Sequence, residues 1–164
     1  MNQRLSATIR AFRSEDVGIV KQLIDATIDA SYTGVYPPHA LQFFKEYHAV
    51  QRILEDASNG HTVVLQSEGA IVGTGTLLGR EIRRMFVSPG CQRRGFGHRV
   101  LAALEHRATA NRLDDLELYS SLVARPFYDA MGFRVLREGF IPLDDGQRLD
   151  YFLMGKSLAA RADG

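Results

Sequence analysis

The segment from Met85 to Val100 restricts the possible folds more than any other part of this chain: a β-prone run, a polar turn, two glycines separated by one residue, and then an amphipathic helix. The first backbone N–H groups of a helix have no partner within it and sit at the positive end of its dipole, so a glycine-lined turn there can wrap a pyrophosphate closely. Arg93 and Arg94 add positive charge to that turn. No Gly-Lys-Ser/Thr follows, which excludes a P-loop, and the other close pair, Gly73-x-Gly75, has Leu78 where the third glycine of a dinucleotide fingerprint belongs. The segment points to a phosphate-bearing ligand, but not to a P-loop triphosphate or a nicotinamide dinucleotide.

The flanking sequence predicts a mixed sheet covered by helices. Thr8 to Phe12 reads as a strand, and Ser14 offers an N-cap with Glu15 and Asp16 in the first turn. Val17, Val20, Ile24, Thr27 and Ile28 then repeat at three and four, predicting a helix that ends near Tyr32. Past Pro37-Pro38, the spacing of Phe43, Tyr47, Val50 and Leu54 predicts one second helix, stopped by Asn59-Gly60. Three β-rich runs follow, Thr62–Gln66, Ala70–Leu78 and Glu81–Val87, punctuated by Glu68-Gly69 and Gly79-Arg80 as in an antiparallel meander. Val100, Leu101, Leu104 and Ala108 mark a helix, and Leu116 and Leu118 a strand. Arg125–Met131 reads as a short helix closed by Gly132, and Phe133–Leu136 and Leu149–Ser157 as strands joined across Asp144-Asp145-Gly146.

Composition narrows the function. The 164 residues suit one domain, here 1–164 with a core over about 7–158. Twenty Lys and Arg against 19 Asp and Glu leave a net charge of +1, no field for holding nucleic acid, even though arginines gather between Arg80 and Arg99. Cys91 is the single cysteine, which excludes an internal disulfide and a multi-thiolate zinc site. No apolar run approaches the ~20 residues of a membrane span, and a cytoplasmic protein without a metal is expected.

Gln92-Arg93-Arg94-Gly95-Phe96-Gly97 resembles the Gln/Arg-x-x-Gly-x-Gly/Ala signature with which GNAT acetyltransferases hold the CoA pyrophosphate. Ser121-x-x-Ala124-x-x-Phe127-Tyr128-x-x-x-Gly132-Phe133 is similar to the family's second signature, in the right order and at the right distance. Ile9-Arg10 with Glu15-Asp16, and Tyr151 through Leu158, resemble its edges, so the likeness spans nearly the whole chain. It implies the GNAT fold: an α/β (α+β) domain with a mixed, mostly antiparallel sheet of six to seven strands and about four helices. It also implies an enzyme that moves an acetyl group from acetyl-CoA to a primary amine by direct attack in a ternary complex.

The resemblance assigns roles. In this family the strand matching Glu81–Val87 is bulged, so Met85, Phe86 and Val87 are expected to meet the cofactor mainly through their backbone. Gln92, Arg93, Arg94, Gly95, Phe96, Gly97 and His98 are expected at the pyrophosphate, and Ser121, Ala124, Phe127 and Tyr128 at the pantetheine arm; the family often has Asn at the position of Ser121. Tyr128 matches the tyrosine that protonates the leaving thiolate, a transfer that is reasonable because phenol and thiol pKa values lie within about two units. Glu81 stands where a branch of the family places its general base, with an ion pair to Arg80, Arg83 or Arg84 as the plainer reading; His61 is the rival base. The acceptor, a small-molecule amine before a peptide amine, is expected beside Tyr32, Tyr36, Phe43, Phe44 and Tyr47, with Asp25 and Asp29 on the adjoining helix. Pairing of two copies through the later strands is a further expectation of the resemblance. A catalytically silent acyl-CoA sensor is the alternative reading.

Overall fold

A computed structural model describes residues 6–158. The stripe at Val20, Ile24 and Ile28 lies along α1, Val17–Tyr32, and these residues are almost wholly buried. Ser14 does not cap it: Ser14 begins a short 3-10 turn, and Asp16 accepts from the Arg13 N–H at 2.7 Å and from both Arg10 guanidinium nitrogens at 2.8 and 2.9 Å. The expected single second helix is two, α2 Pro38–Tyr47 and α3 Val50–Asn59, because Ala49 is extended. The apolar spacing misled here. Tyr47 and Val50 remain 37% and 39% exposed, while Ala40 and Ile53 carry the buried faces.

The strands are β1 Ala7–Ala11, β2 His61–Ser67, β3 Ala70–Leu78, β4 Glu81–Val87, β5 Asp115–Ser120, β6 Arg134–Pro142 and β7 Arg148–Ser157; α4 spans Phe96–Ala110 and α5 Arg125–Ala130. They form a seven-stranded sheet in the order β1-β2-β3-β4-β5-β7-β6, antiparallel except for β4 with β5. With five α-helices this is the expected mixed fold, one helix richer than the spacing predicted. The strand after Gly132 is also longer than Phe133–Leu136. The charged stretch Arg137-Glu138 has no apolar alternation to announce it, yet it pairs with β7 as far as Pro142, its backbone bonds and not a buried face making it a strand.

Side chains alternate between two cores. Val63 and Leu65 of β2 pack toward Val100, Leu101 and Leu104 of α4, while Val64 packs toward Ile24 and Ile28 of α1. Burying such side chains stabilises by roughly 1.5–3 kcal/mol each, so covering both faces holds the sheet flat against its helices. Gly75 makes the α4 approach possible: a Cβ there would lie 2.7 Å from Val100 Cγ1 and 2.9 Å from Leu104 Cδ1.

Two irregularities in the sheet create the site. β4 and β5 pair only at Glu81–Glu117 and Ile82–Leu118, then diverge and leave a wedge. Opposite Gly75, β4 holds two residues, Arg84 and Met85, with Arg84 in the left-handed region at φ +52°. This bulge puts the consecutive Arg83 and Arg84 on one face, where both reach Asp56 of α3. It also rephases the strand, so that Met85 and Val87 join Ile82 on the α4 side and Phe86 turns to the α1 side.

Candidate active site

The wedge holds two chambers that share one wall. The first, about 640 Å³, runs between Thr27 and Ser31 of α1, the Met85–Val87 end of β4, the turn before α4, and α5. Its turn is set by Gly95, left-handed at φ +80°, with Arg93 also left-handed at φ +63°, and Gln92 ties it back by donating to the Val87 carbonyl at 3.1 Å. The first hydrogen bond into α4 runs from the Arg99 N–H to the Gly95 carbonyl, so the N–H groups of Phe96, Gly97 and His98 have no helical partner. Among the described residues no carboxylate lines this chamber, whereas Arg93 and His98 do. A cleft at a helix start, lined by unpaired N–H groups and an arginine and by no carboxylate, suits a phosphate-bearing ligand.

The second chamber, about 310 Å³, lies on the other side of Tyr32, Met85, Phe86, Ala124 and Tyr128, which border both. Phe43, Phe44, Tyr47, Tyr119, Tyr151, Ile141 and Leu149 make most of it apolar, with Glu81, Arg83, Arg84 and His48 as its charged or titratable lining. Arg83 donates to Glu81 at 2.9 Å and to Asp56 at 3.2 Å, and Arg84, only 4% exposed in its side chain, also donates to Asp56. The hydrogen bond to Glu81 above all keeps the Arg83 guanidinium charged. Burial alone would raise the Asp56 carboxyl, but its bonds to Arg84 and Arg83 outweigh that and hold it below the usual carboxylate range. His48 is pushed down to about 3 by burial first and by Arg84 next, so its imidazole is neutral. It lies 5.2 Å edge-on to the Phe86 ring.

Tyr128 stands at the junction, 6% exposed, with Phe127 and Phe133 edge-on at 5.2 and 5.6 Å. Burial raises its phenol well above the ordinary tyrosine value, and the Tyr32 phenol acts in the same direction, so it stays protonated at neutral pH.

Most of the expected residues meet here. Met85, Phe86, Val87, Gln92, Arg93, Gly95, Gly97, His98, Ala124, Phe127 and Tyr128 line the first chamber, and Glu81 and Ser121 the second. Arg94 borders neither; the Phe96 side chain is buried in the core below α4, which leaves only its backbone toward the turn. Ser121 Oγ accepts from the Ala124 N–H at 3.1 Å, capping the turn into α5. His61 borders neither chamber and pairs across to Leu77 in the sheet. Asp25 and Asp29 are held by Lys21 and Lys45 at 2.8 and 2.6 Å, away from the cleft. Four of the five expected aromatics line the second chamber; Tyr36 is structural, donating to the Asp150 carbonyl at 2.9 Å and accepting from the Leu122 N–H at 2.8 Å. Sequence reasoning missed His48, which sits at the break between two helices read as one.

A bulged strand, a sheet split at β4 and β5, and a turn with unpaired N–H groups thus frame two joined chambers. Residues 18–142 match the family model described as acetyltransferase (GNAT) domain. The chain belongs to the GNAT acetyltransferase family. Its fold superposes on a GCN5-related N-acetyltransferase from Rhodopseudomonas palustris with a TM-score of 0.86 at 22% identity, covering 96% of this chain and 100% of that one. The paia N-acetyltransferase of Thermoplasma acidophilum, in complex with coenzyme A, gives 0.75 at 17%, with 93% and 99% covered. The ribosomal-protein-S18-alanine N-acetyltransferase of Escherichia coli gives 0.71 at 15%, with 97% and 98% covered. No curated protein matches the sequence. Among the described residues no group of three or more His, Cys, Asp or Glu could hold a metal ion, and no helix is long and apolar enough to cross a membrane.

Proposed function

We propose that this protein transfers the acetyl group of acetyl-CoA to a primary amine held at the same time in the second chamber. The observation that carries the reading is the shared wall: both chambers border Tyr128 and the bulged Met85-Phe86 segment, so a thioester entering from one side and an amine from the other meet there.

In this reading the turn from Gln92 to His98 binds the pyrophosphate and the backbone at the bulge orients the thioester carbonyl. The amine nitrogen attacks that carbonyl carbon, the carbon–sulfur bond breaks, and Tyr128 passes its phenolic proton to the departing thiolate; because burial raises this phenol and widens the gap to a thiol, the transfer needs the bound cofactor to change the polarity around Tyr128. The amine loses its proton through water to Glu81, which lines the second chamber. Cytoplasmic acetyl-CoA is the donor. Two copies pair through the edge strand β6, whose Leu136 and Phe140 stand 62% and 53% exposed; sedimentation should find a dimer at micromolar concentration.

Calorimetric titration with acetyl-CoA, followed by thiol release over a panel of amines, tests the reading. Saturable binding with turnover of one amine class is expected. Binding without turnover of any amine favours the sensor, and absence of binding overturns the assignment of the turn.

A further inference from the structure

Three buried side-chain atoms among the described residues have no hydrogen-bond partner: Nδ1 of His48, Nε of Arg83 and Nε of Arg84. They come from two separate parts of the chain, yet all three residues line the second chamber. Buried polar groups left unpaired cost stability, so their concentration at one cavity marks a place for a ligand group that pairs with them. The two Arg Nε atoms are donors only, and the neutral His48 ring offers Nδ1 beside them, able to donate when it carries the ring proton. The missing group is therefore an acceptor.

Charge narrows it further. Two guanidinium groups and Glu81 line this chamber, and Asp56 behind the lining pairs with both arginines, so both carboxylates are already engaged. A polyamine or a lysine side chain in a basic peptide would find no free carboxylate on that wall. A carboxylate fits the planar fork of an arginine. Arg83, 29% exposed in its side chain, opens to the chamber, while Arg84 and His48 form its floor. The remaining walls, Phe43, Phe44, Tyr47, Tyr151, Ile141 and Leu149, accept an apolar body, and 310 Å³ lies at the small end of ligand pockets.

Building on the transferase reading, we propose that His48, Arg83 and Arg84 form a carboxylate subsite, and that the acceptor is an amine carrying a carboxylate and an apolar body, the chemistry of an apolar or aromatic amino acid. Its ammonium end lies toward Tyr128 and Glu81. A peptide N-terminus lacks the free carboxylate that the two guanidinium groups call for.

The test compares L-phenylalanine, L-leucine and L-methionine with their amides and with the matching decarboxylated amines, by thiol release and by calorimetry on the CoA-loaded protein. At least one free amino acid should exceed its amide and its amine by ~10- to 100-fold in kcat/KM, the range of one charge-assisted hydrogen bond. Arg83→Gln should erase that margin, the amino acid losing ~10- to 100-fold more in kcat/KM than the matched amine; His48→Phe, which keeps an aromatic ring and removes Nδ1, should narrow it where an Arg84 variant fails to fold. Equal or better turnover of amides, plain amines or peptide N-termini overturns the subsite and leaves the transferase standing. If acetyl-CoA binds and nothing is acetylated, preferential binding of the free acids upholds the subsite while the transferase reading fails. Absence of any preference for the free acids in binding overturns the subsite as well.

Discussion

The two chambers of the cleft are built by opposite means. The larger one uses main-chain geometry: a glycine turn, unpaired N–H groups at the start of α4, and the bulged end of β4. Two short stretches, 85–98 and 123–128, supply most of its wall. The smaller one is made of side chains gathered from α1, α2, the α2–α3 break, β4, β5, α5, β6 and β7, and its charged floor depends on Asp56, which does not line it. Backbone recognition serves a ligand that is the same for every member of a family. Side-chain recognition can be changed one residue at a time, and is where a particular acceptor is chosen.

The largest test of that contrast falls on the wall between the chambers. Tyr128→Phe should lower kcat by about 10²- to 10⁴-fold, the usual yield of a general acid, while acetyl-CoA binding by calorimetry stays within about twofold. Equal loss of both would make Tyr128 part of the donor chamber alone.

Asp56→Ala should next show that the acceptor floor rests on a residue behind it. It strands Arg84 in the interior and should cost about 3–5 kcal/mol in urea unfolding. The wild-type protein should meanwhile lose stability in acid. Because the folded Asp56 and Asp16 carboxyls lie below their unfolded values, their contribution is complete above the unfolded carboxylate pKa of ~4 and is lost as pH falls through the lower folded values. Urea midpoints across pH 2–6 give the sign, and the slope should flatten in Asp56→Ala.

Gly75→Ala tests the support of both chambers at once. A methyl group pressed into Val100 and Leu104 should destabilise by about 1–3 kcal/mol, and the displaced bulge should weaken donor and acceptor binding together. The smallest effect is expected for Arg93→Ala, a loosening of acetyl-CoA of about fivefold or less that shrinks as salt is added. A large salt-independent loss would mean that side chains, and not the backbone turn, carry phosphate binding.

The same contrast explains what could be read beforehand. The larger chamber is mostly contiguous, and its requirements are local: glycine where the backbone is left-handed or closely approached, a β run before it and a helix after it, so Met85, Phe86, Val87, Gln92, Arg93, Gly95, Gly97 and His98 were legible, while Arg94 and the side chain of Phe96 were expected there and lie elsewhere. The smaller chamber was legible only as a region. Phe43, Phe44 and Tyr47 were placed there, but Tyr36 was not separable from them, because a phenol bonded to Asp150 and Leu122 has the same sequence appearance as one that faces a cavity. Arg83 and Arg84 looked like surface partners of Glu81. The family resemblance implied a bulge in this strand and one is present, but its place at Arg84-Met85, opposite Gly75, which turns both arginines inward, is not given by any spacing within β4. His48 was hidden by an apolar repeat that runs through Ala49 as if the helix continued.

The sequence by itself determined the family, the order of the strands and the glycine turn before α4, since each depends on patterns within a few residues or on two motifs at a set distance; the split of the second helix it did not. Tertiary structure decided which charged groups lose their water. The short β4–β5 pairing opens the wedge, and the bulge turns two arginines onto one buried aspartate. The break at Ala49 sets a neutral histidine beside them. Those outcomes follow from residues far apart in the chain competing for the same buried space, and local preference carries no record of that competition.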